Sequence, residues 1–173
     1  VFSLVFPILV EYLIYGESSS GDLTTIVSFL LVSPLVKILN LIGIFAFAEG
    51  RTIGFPDQTS GIIMYVWIAD MCSGIYSMLV FIAAFIAFVL NEFKVIDAFV
   101  FTFLLLGILV SYISNLIRIT TIIVVGHFYG GEALYWTHEN IGWVIFLFWI
   151  ALFWWFLERQ IPRSYLVDSD NKA

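Results

Sequence analysis

The chain has 173 residues, of which 62% are hydrophobic, 18% aromatic and only 12% charged, against about a quarter charged in soluble domains, so a soluble globular domain is excluded. Its net charge of −6 comes from 7 basic and 13 acidic side chains, and the basic ones are scattered, which leaves no nucleic-acid surface. The lone cysteine excludes an internal disulfide framework and a cysteine-rich metal site, and no cofactor is expected.

With a mean hydropathy of +1.05, several apolar runs are long enough to cross a bilayer core of about 30 Å. The expected fold class is therefore an all-α membrane protein, a polytopic bundle of about five transmembrane helices forming one domain over residues 1–160, with a short cytoplasmic tail over 161–173. The chain opens at Val1 inside an apolar run with no basic region before it, so an N-terminal shortening rather than a cleavable signal peptide is expected.

Residues 1–15 read as a first helix, closed by the polar turn Tyr15-Gly16-Glu17-Ser18-Ser19-Ser20-Gly21-Asp22. Residues 23–48 are long enough for a tilted span with Ser33-Pro34 inside it, in which Lys37 should face the bundle or snorkel. From Glu49 to Asp70 the character changes: Gly50, Arg51, Gly54, Pro56 and Gly61 oppose a helix, and residues 62–68 are rich in strand formers. This predicts a short extracellular strand or hairpin lid over 49–71, leading straight into Cys72.

Cys72 stands just before the apolar run 74–91. If that run is a helix, unpaired N–H groups and the helix dipole at its start would stabilise a thiolate; an isolated cysteine more often behaves as a small hydrophobe. After Asn91-Glu92-Phe93-Lys94 the next span starts near Asp97 and ends at Ser111, Ser114, Asn115 and Arg118. The roughly 21 steps from Asp97 to Arg118 come to about 32 Å, one crossing. Residues 119–129 either extend that helix, setting Arg118 deeper, or re-enter the membrane as a short helix, and Gly130-Gly131-Glu132 ends them. The last span runs from about His138 to Leu157 and holds Trp143, Trp149, Trp154 and Trp155.

Lys94, Arg159, Arg163 and Lys172 fall on one side if the spans alternate, and the positive-inside bias makes that side the cytoplasm. Cys72, Arg118 and His138 then all reach the outer interface. They are a thiol, a guanidinium and an imidazole, the groups of a cysteine acyl-transfer site. Asn115, three residues before Arg118, shares its helix face and would hold the guanidinium or bond the substrate. Arg118 is followed by apolar residues and is poorly placed to snorkel, and intramembrane charges default to function. His127 is the competing imidazole; His138 is preferred because Gly142 lies one turn on and allows close packing.

Cys72-Ser73-Gly74 opening a helix, Asn115-Leu116-Ile117-Arg118-Ile119-Thr120 at the outer end of a later one, and His138 with Gly142 at the head of the last span resemble the exosortase/archaeosortase family of membrane transpeptidases, over roughly residues 45–157. The resemblance implies Cys72 as nucleophile with Arg118 and His138 completing the site, supported by Asn115, Ser73 and Gly74. It also implies exported protein substrates bearing a C-terminal sorting signal (a motif, a transmembrane helix and a basic tail), a membrane lipid as an acceptor, and a multi-pass cell-membrane location with the site outside. Substrate recognition is assigned to residues 49–67, with Arg51, Gly54 and Trp67 as contacts. The chain is shorter than many members, and Asp70, which shares a strand face with residue 72, would oppose a thiolate. Two other classes fit the composition: a transporter or small channel with Lys37, Asp97 and Arg118 along a pathway, and a structural membrane subunit with an incidental cysteine.

Overall fold

A computed structural model describes residues 28–69, 72–93 and 97–161. A π-helical turn, Ser28–Val32, leads into helix α1 (Ser33–Leu41), followed by strands β1 (Phe47–Glu49), β2 (Thr52–Pro56) and β3 (Ile63–Trp67) and helices α2 (Ile75–Glu92), α3 (Ala98–Asn140) and α4 (Gly142–Gln160). The protein is mostly helical, and the stretches Ile75–Glu92 and Ala98–Gln160 are long and apolar enough to cross a membrane, with mean hydropathies of 2.0 and 2.2 over an 18-residue window of each. The expected helix over 1–15, Asp70 and the basic residues Lys94, Arg163 and Lys172 lie outside the described residues.

The expected span over 23–48 is corrected: α1 stops at Leu41 and a strand begins at Phe47. Gly43, at φ 90°, turns the chain out of the helix. Its N–H donates to Asn40 O at 3.1 Å and Ile44 N–H to Leu39 O at 2.9 Å, the paired bonds of a Schellman stop, with the accompanying apolar contact supplied by buried Leu39 and Ile44. Asn40 locks the exit, donating from Nδ2 to Ala46 O at 2.8 Å and accepting from Ala46 N–H at 3.2 Å. At about 1.5 Å per residue the described helical stretch Ser28–Leu41 is roughly 21 Å long, short of a bilayer core of about 30 Å, and Lys37 is exposed on α1.

The strands form an antiparallel sheet in the order β1-β2-β3, with Phe47 opposite Gly54 and Thr52 opposite Trp67. Alternation sends Ile53 and Phe55 of β2 inward, fully buried, against Leu35, Leu39, Ile68 and Ile123. Pro56 falls past the last β1–β2 pair, so its missing N–H costs no ladder bond.

Asp97 starts α3 by accepting the N–H groups of Phe99 (3.0 Å) and Val100 (3.4 Å). The helix is continuous to Gly130, so residues 119–129 extend it rather than re-entering the membrane. At Gly130, φ 83° breaks it, and the chain doubles back: Leu134 packs on Gly126, where a Cβ would sit 2.5 Å from Leu134 Cδ1, and Gly142 returns alongside Arg118. Residues 130–138, expected to face outward ahead of a span starting near His138, lie in a helical segment that follows the break at Gly130 and runs to Asn140. Ile141 carries the ladder into α4, donating to Thr137 O at 2.9 Å and accepting from Ile145 at 3.1 Å.

Residues 98–129 measure about 48 Å, longer than a bilayer core of about 30 Å, and the sheet packs against the Gly130 end of this helix. Two cores result. Leu35, Leu39, Ile53, Phe55, Ile119, Ile122 and Ile123 side chains pack around the sheet-bearing end, and Phe81, Phe85, Phe103, Phe153 and Leu157 between α2, α3 and α4 at the other.

Candidate active site

Cys72 lies in the link from β3 to α2, its N–H donating to Ala69 O at 2.9 Å. Helix α2 starts at Ile75, behind Gly74 in the left-handed region (φ 84°), and Ser73 Oγ accepts the Ile75 N–H at 3.4 Å. The sulfur thus stands ahead of the first helical turn, where a helix terminus acts most strongly, and the expected help from α2 is indirect. A side chain faces the sulfur instead: Cys72 Sγ is 4.0 Å from His138 Nε2.

His138 is exposed near the end of the helical segment that returns from Gly130, and Arg118 is half-buried on the outgoing helix beside it. Cys72, Arg118 and His138 line one cavity of about 380 Å³, walled by Tyr65 and Trp67 of β3 and by Tyr135. Arg118 Nε is buried with no hydrogen-bond partner among the described residues. A Cβ on Gly142 would lie 3.6 Å from that nitrogen, at ordinary contact distance, so Gly142 borders the guanidinium without being required to make room for it. No carboxylate among the described residues is paired with this half-buried cation, an arrangement that favours a neighbouring negative charge.

Asn115 does not hold the guanidinium. Its Nδ2 donates to Cys72 O at 3.4 Å, and its Oδ1 is buried without a partner among the described residues. A Cβ at Gly74 would stand 2.6 Å from Asn115 Nδ2, so the glycine is needed both for its φ and for this approach. Beyond Gly74 and Asn115 lies a second, apolar cavity of about 400 Å³, lined by Met78, Leu105, Ile108 and Tyr112.

The family model described as Transmembrane exosortase (Exosortase_EpsH) matches residues 1–155. The chain belongs to that family. Neither the curated proteins nor the solved structures hold a match. Exosortases are membrane-embedded sorting transpeptidases of the cysteine-peptidase kind, acting on exported proteins that carry sorting signals.

In this exosortase the two histidines have different surroundings. His127 is buried, its Nδ1–H donating to Pro56 O at 2.5 Å and its Nε2 accepting from Gln58 Nε2 at 3.1 Å, while its carbonyl accepts Gln58 N–H at 2.9 Å. It pins the β2–β3 turn to α3 and does not line the Cys72 cavity. The same turn holds buried Asp57, which accepts from Thr59 N–H, Thr59 Oγ1 and Ser60 Oγ at 2.7–2.8 Å. The Ser60 and Thr59 hydroxyls and the Thr59 N–H hold its carboxyl below the ordinary 3.8.

Of the expected substrate contacts, Trp67 lines the cavity, and Arg51 stacks over its ring at 5.2 Å. Gly54 lies apart, under the Phe47 ring, where a Cβ would come within 2.4 Å; its smallness serves the sheet. Tyr65 was not among the expected contacts, although the period of two that selects Trp67 selects it too. Lys37 is exposed on α1 and Asp97 caps the far end of α3, so neither meets Arg118 along a common pathway.

Proposed function

We propose that the chain cleaves the C-terminal sorting signal of an exported protein through a thioester on Cys72. The observation that carries this is the 4.0 Å approach of the only cysteine to His138 in a cavity shared with Arg118, whose Nε has no partner among the described residues. His138 takes the thiol proton as the sulfur attacks the scissile carbonyl; the C–S bond forms, and negative charge on the carbonyl oxygen is met by Arg118. The C–N bond then breaks, and the proton passes from His138 to the leaving amine. In the second half, an acceptor's N–H or O–H gives its proton to imidazole, its heteroatom attacks the thioester, and the thiol is regenerated. Asn115 and Gly74 set the position of the Cys72 backbone.

An amphiphilic acceptor such as a membrane lipid is supported by the apolar cavity beside Gly74, lined in part by Asn115, whose Oδ1 has no partner among the described residues. Residues 49–67 act as a lid and recognition element over the site, with Arg51 holding Trp67 in place. The site faces outward and the C-terminus inward, as the end that bears Arg159 is opposite the sheet. The chain forms a single multi-pass domain.

The test is processing of a tagged substrate in membranes. Cys72→Ala should abolish it, and undiminished processing would end the reading. Comparing His138→Ala with His127→Ala checks the base: loss confined to the second would transfer the role to His127.

A further inference from the structure

Among the described residues strand β3 is an outer strand, paired only with β2. In an antiparallel pair, residues alternate between those whose N–H and C=O point at the partner and those whose groups point away. The bonds from Ile68 N–H to Arg51 O and from Asp57 N–H to Ile62 O, each 2.9 Å, fix the parity. Ile62, Met64, Val66 and Ile68 face β2. Ile63, Tyr65 and Trp67 turn their backbone groups to the other side, where no element among the described residues takes them.

Proteins blunt an uncovered edge with charges, prolines or bulges. Residues 62–68 read Ile-Ile-Met-Tyr-Val-Trp-Ile and contain neither charge nor proline, and their register with β2 is unbroken. An apolar edge of this kind pairs with any extended chain that reaches it. It also opens where the chemistry is, since Tyr65 and Trp67 wall the cavity that holds Cys72, Arg118 and His138.

We propose that the exported substrate docks by strand addition, an extended segment just upstream of its scissile bond pairing with the free edge of β3. This rests on Cys72 being the nucleophile. The direction of the added strand follows from the fold. β3 starts beside the Asp57 turn, which is held at the Gly130 end of α3, and runs toward Cys72 at the level of Arg118. A substrate whose chain descends from outside into the membrane therefore lies parallel to β3. At about 3.3 Å per residue, the stretch beside residues 63–67 accommodates roughly five substrate residues. Backbone bonds supply the grip, and only alternate substrate side chains face the cavity walls, so side-chain selectivity repeats every second position.

The test uses the full chain in lipid vesicles and a tagged substrate whose amides are N-methylated one at a time upstream of the scissile bond. Removal of a paired N–H should raise KM about tenfold, roughly one hydrogen bond with its desolvation, at every second position and change it less than about twofold between. A flat profile overturns the proposal. Ile63→Pro, at an exposed position outside the cavity lining, removes an outward-facing N–H while sparing the β2 ladder. It should raise KM by a similar factor with kcat and iodoacetamide labelling of Cys72 unchanged, and an unchanged KM counts against strand addition. Should that variant misfold, the methylation scan on the wild-type chain still decides. If Ile63→Pro instead weakens cross-linking between copies while the scan is flat, the edge belongs to a second copy and the proposal falls. The scan repeated as competition binding to Cys72→Ala separates the two readings. Period-two binding alongside retained processing removes the thiol mechanism alone, and flat binding alongside lost processing removes strand addition alone.

Discussion

Around the sheet-bearing end of α3 the buried side chains are aliphatic, Leu35, Leu39, Ile53, Ile119 and Ile123 with Phe55, whereas at the other end Phe81, Phe85, Phe103 and Phe153 bury one another. The aliphatic end is tied down by polar bonds at its turns, through Asn40, Asp57 and His127. The aromatic end has rings: Phe81 meets Phe153 edge-on at 5.0 Å and sits against Gly107, where a Cβ would fall 1.9 Å from the Phe81 ring. Between them, α3 presents Ser111, Ser114, Asn115 and Arg118, the first three buried. Directional bonds fix positions to fractions of an ångström and suit a cavity wall. Ring packing needs no polar partner, which suits a helix bundle in lipid. The aromatic end anchors, and the sheet-bearing end positions.

That division is broken or upheld by matched truncations. Phe81→Ala and Phe55→Ala each remove a fully enclosed ring and should each cost about 3–5 kcal/mol of stability, read by unfolding in detergent. Per folded molecule, Phe81→Ala should keep kcat/KM within about twofold, while Phe55→Ala, which loosens the sheet carrying Tyr65 and Trp67, should lose activity as well. Equal activity losses at matched folded fraction would show that the two ends are not separable.

Arg118→Lys tests the boundary. A lysine keeps the charge but loses the planar fork, and if the guanidinium meets the oxyanion kcat should fall about a hundredfold, or ~2.7 kcal/mol. Stability should hardly move, because Nε has no partner to lose. A stability loss of the same size with kcat intact would make Arg118 structural.

Gly74→Ala comes next. The left-handed φ and the close approach of Asn115 should cost about 1–2 kcal/mol and roughly tenfold in rate as the Cys72 backbone shifts. In an Asn115→Ala background part of the clash disappears, so the double variant should fall short of the sum; strict additivity would leave the backbone angle as the sole cause.

The sequence makes Cys72, Arg118 and His138 legible as a group because hydropathy counts spans, and counting spans assigns sides of the membrane. It hides whatever depends on a single backbone angle or a distant partner. The helix stop at Gly43 lies inside Leu41-Ile42-Gly43-Ile44, apolar throughout, so hydropathy reads straight through it. Gly130 was expected to end a helix, and does, but nothing local shows that the chain then doubles back as helix on Gly126. His127 looks as able a base as His138 until Pro56 and Gln58, about 70 residues away, occupy both of its nitrogens. The free edge of β3 is invisible until its pairing with β2 is known, since only the parity of that ladder decides which N–H groups are left over.

The smallest effect expected is at Asp57. Its carboxylate is held below the ordinary 3.8 by Ser60 and Thr59, so the folded state binds the proton less readily than the unfolded one. The carboxylate therefore contributes stability in full above about pH 4, and that contribution fades as pH falls below 3.8 through the folded value. Other carboxylates titrate in the same window, so the informative quantity is the wild-type unfolding midpoint minus that of Asp57→Asn. That difference should be constant from pH 6 to about pH 4 and shrink below it. Because the turn is bonded to His127 and faces Gly130, the acid loss should appear in probes of the sheet and leave the packing of Phe81 on Phe153 unchanged. A simultaneous loss at both would mean that the turn's bonds support the aromatic end as well, and that α3 transmits strain along its whole length.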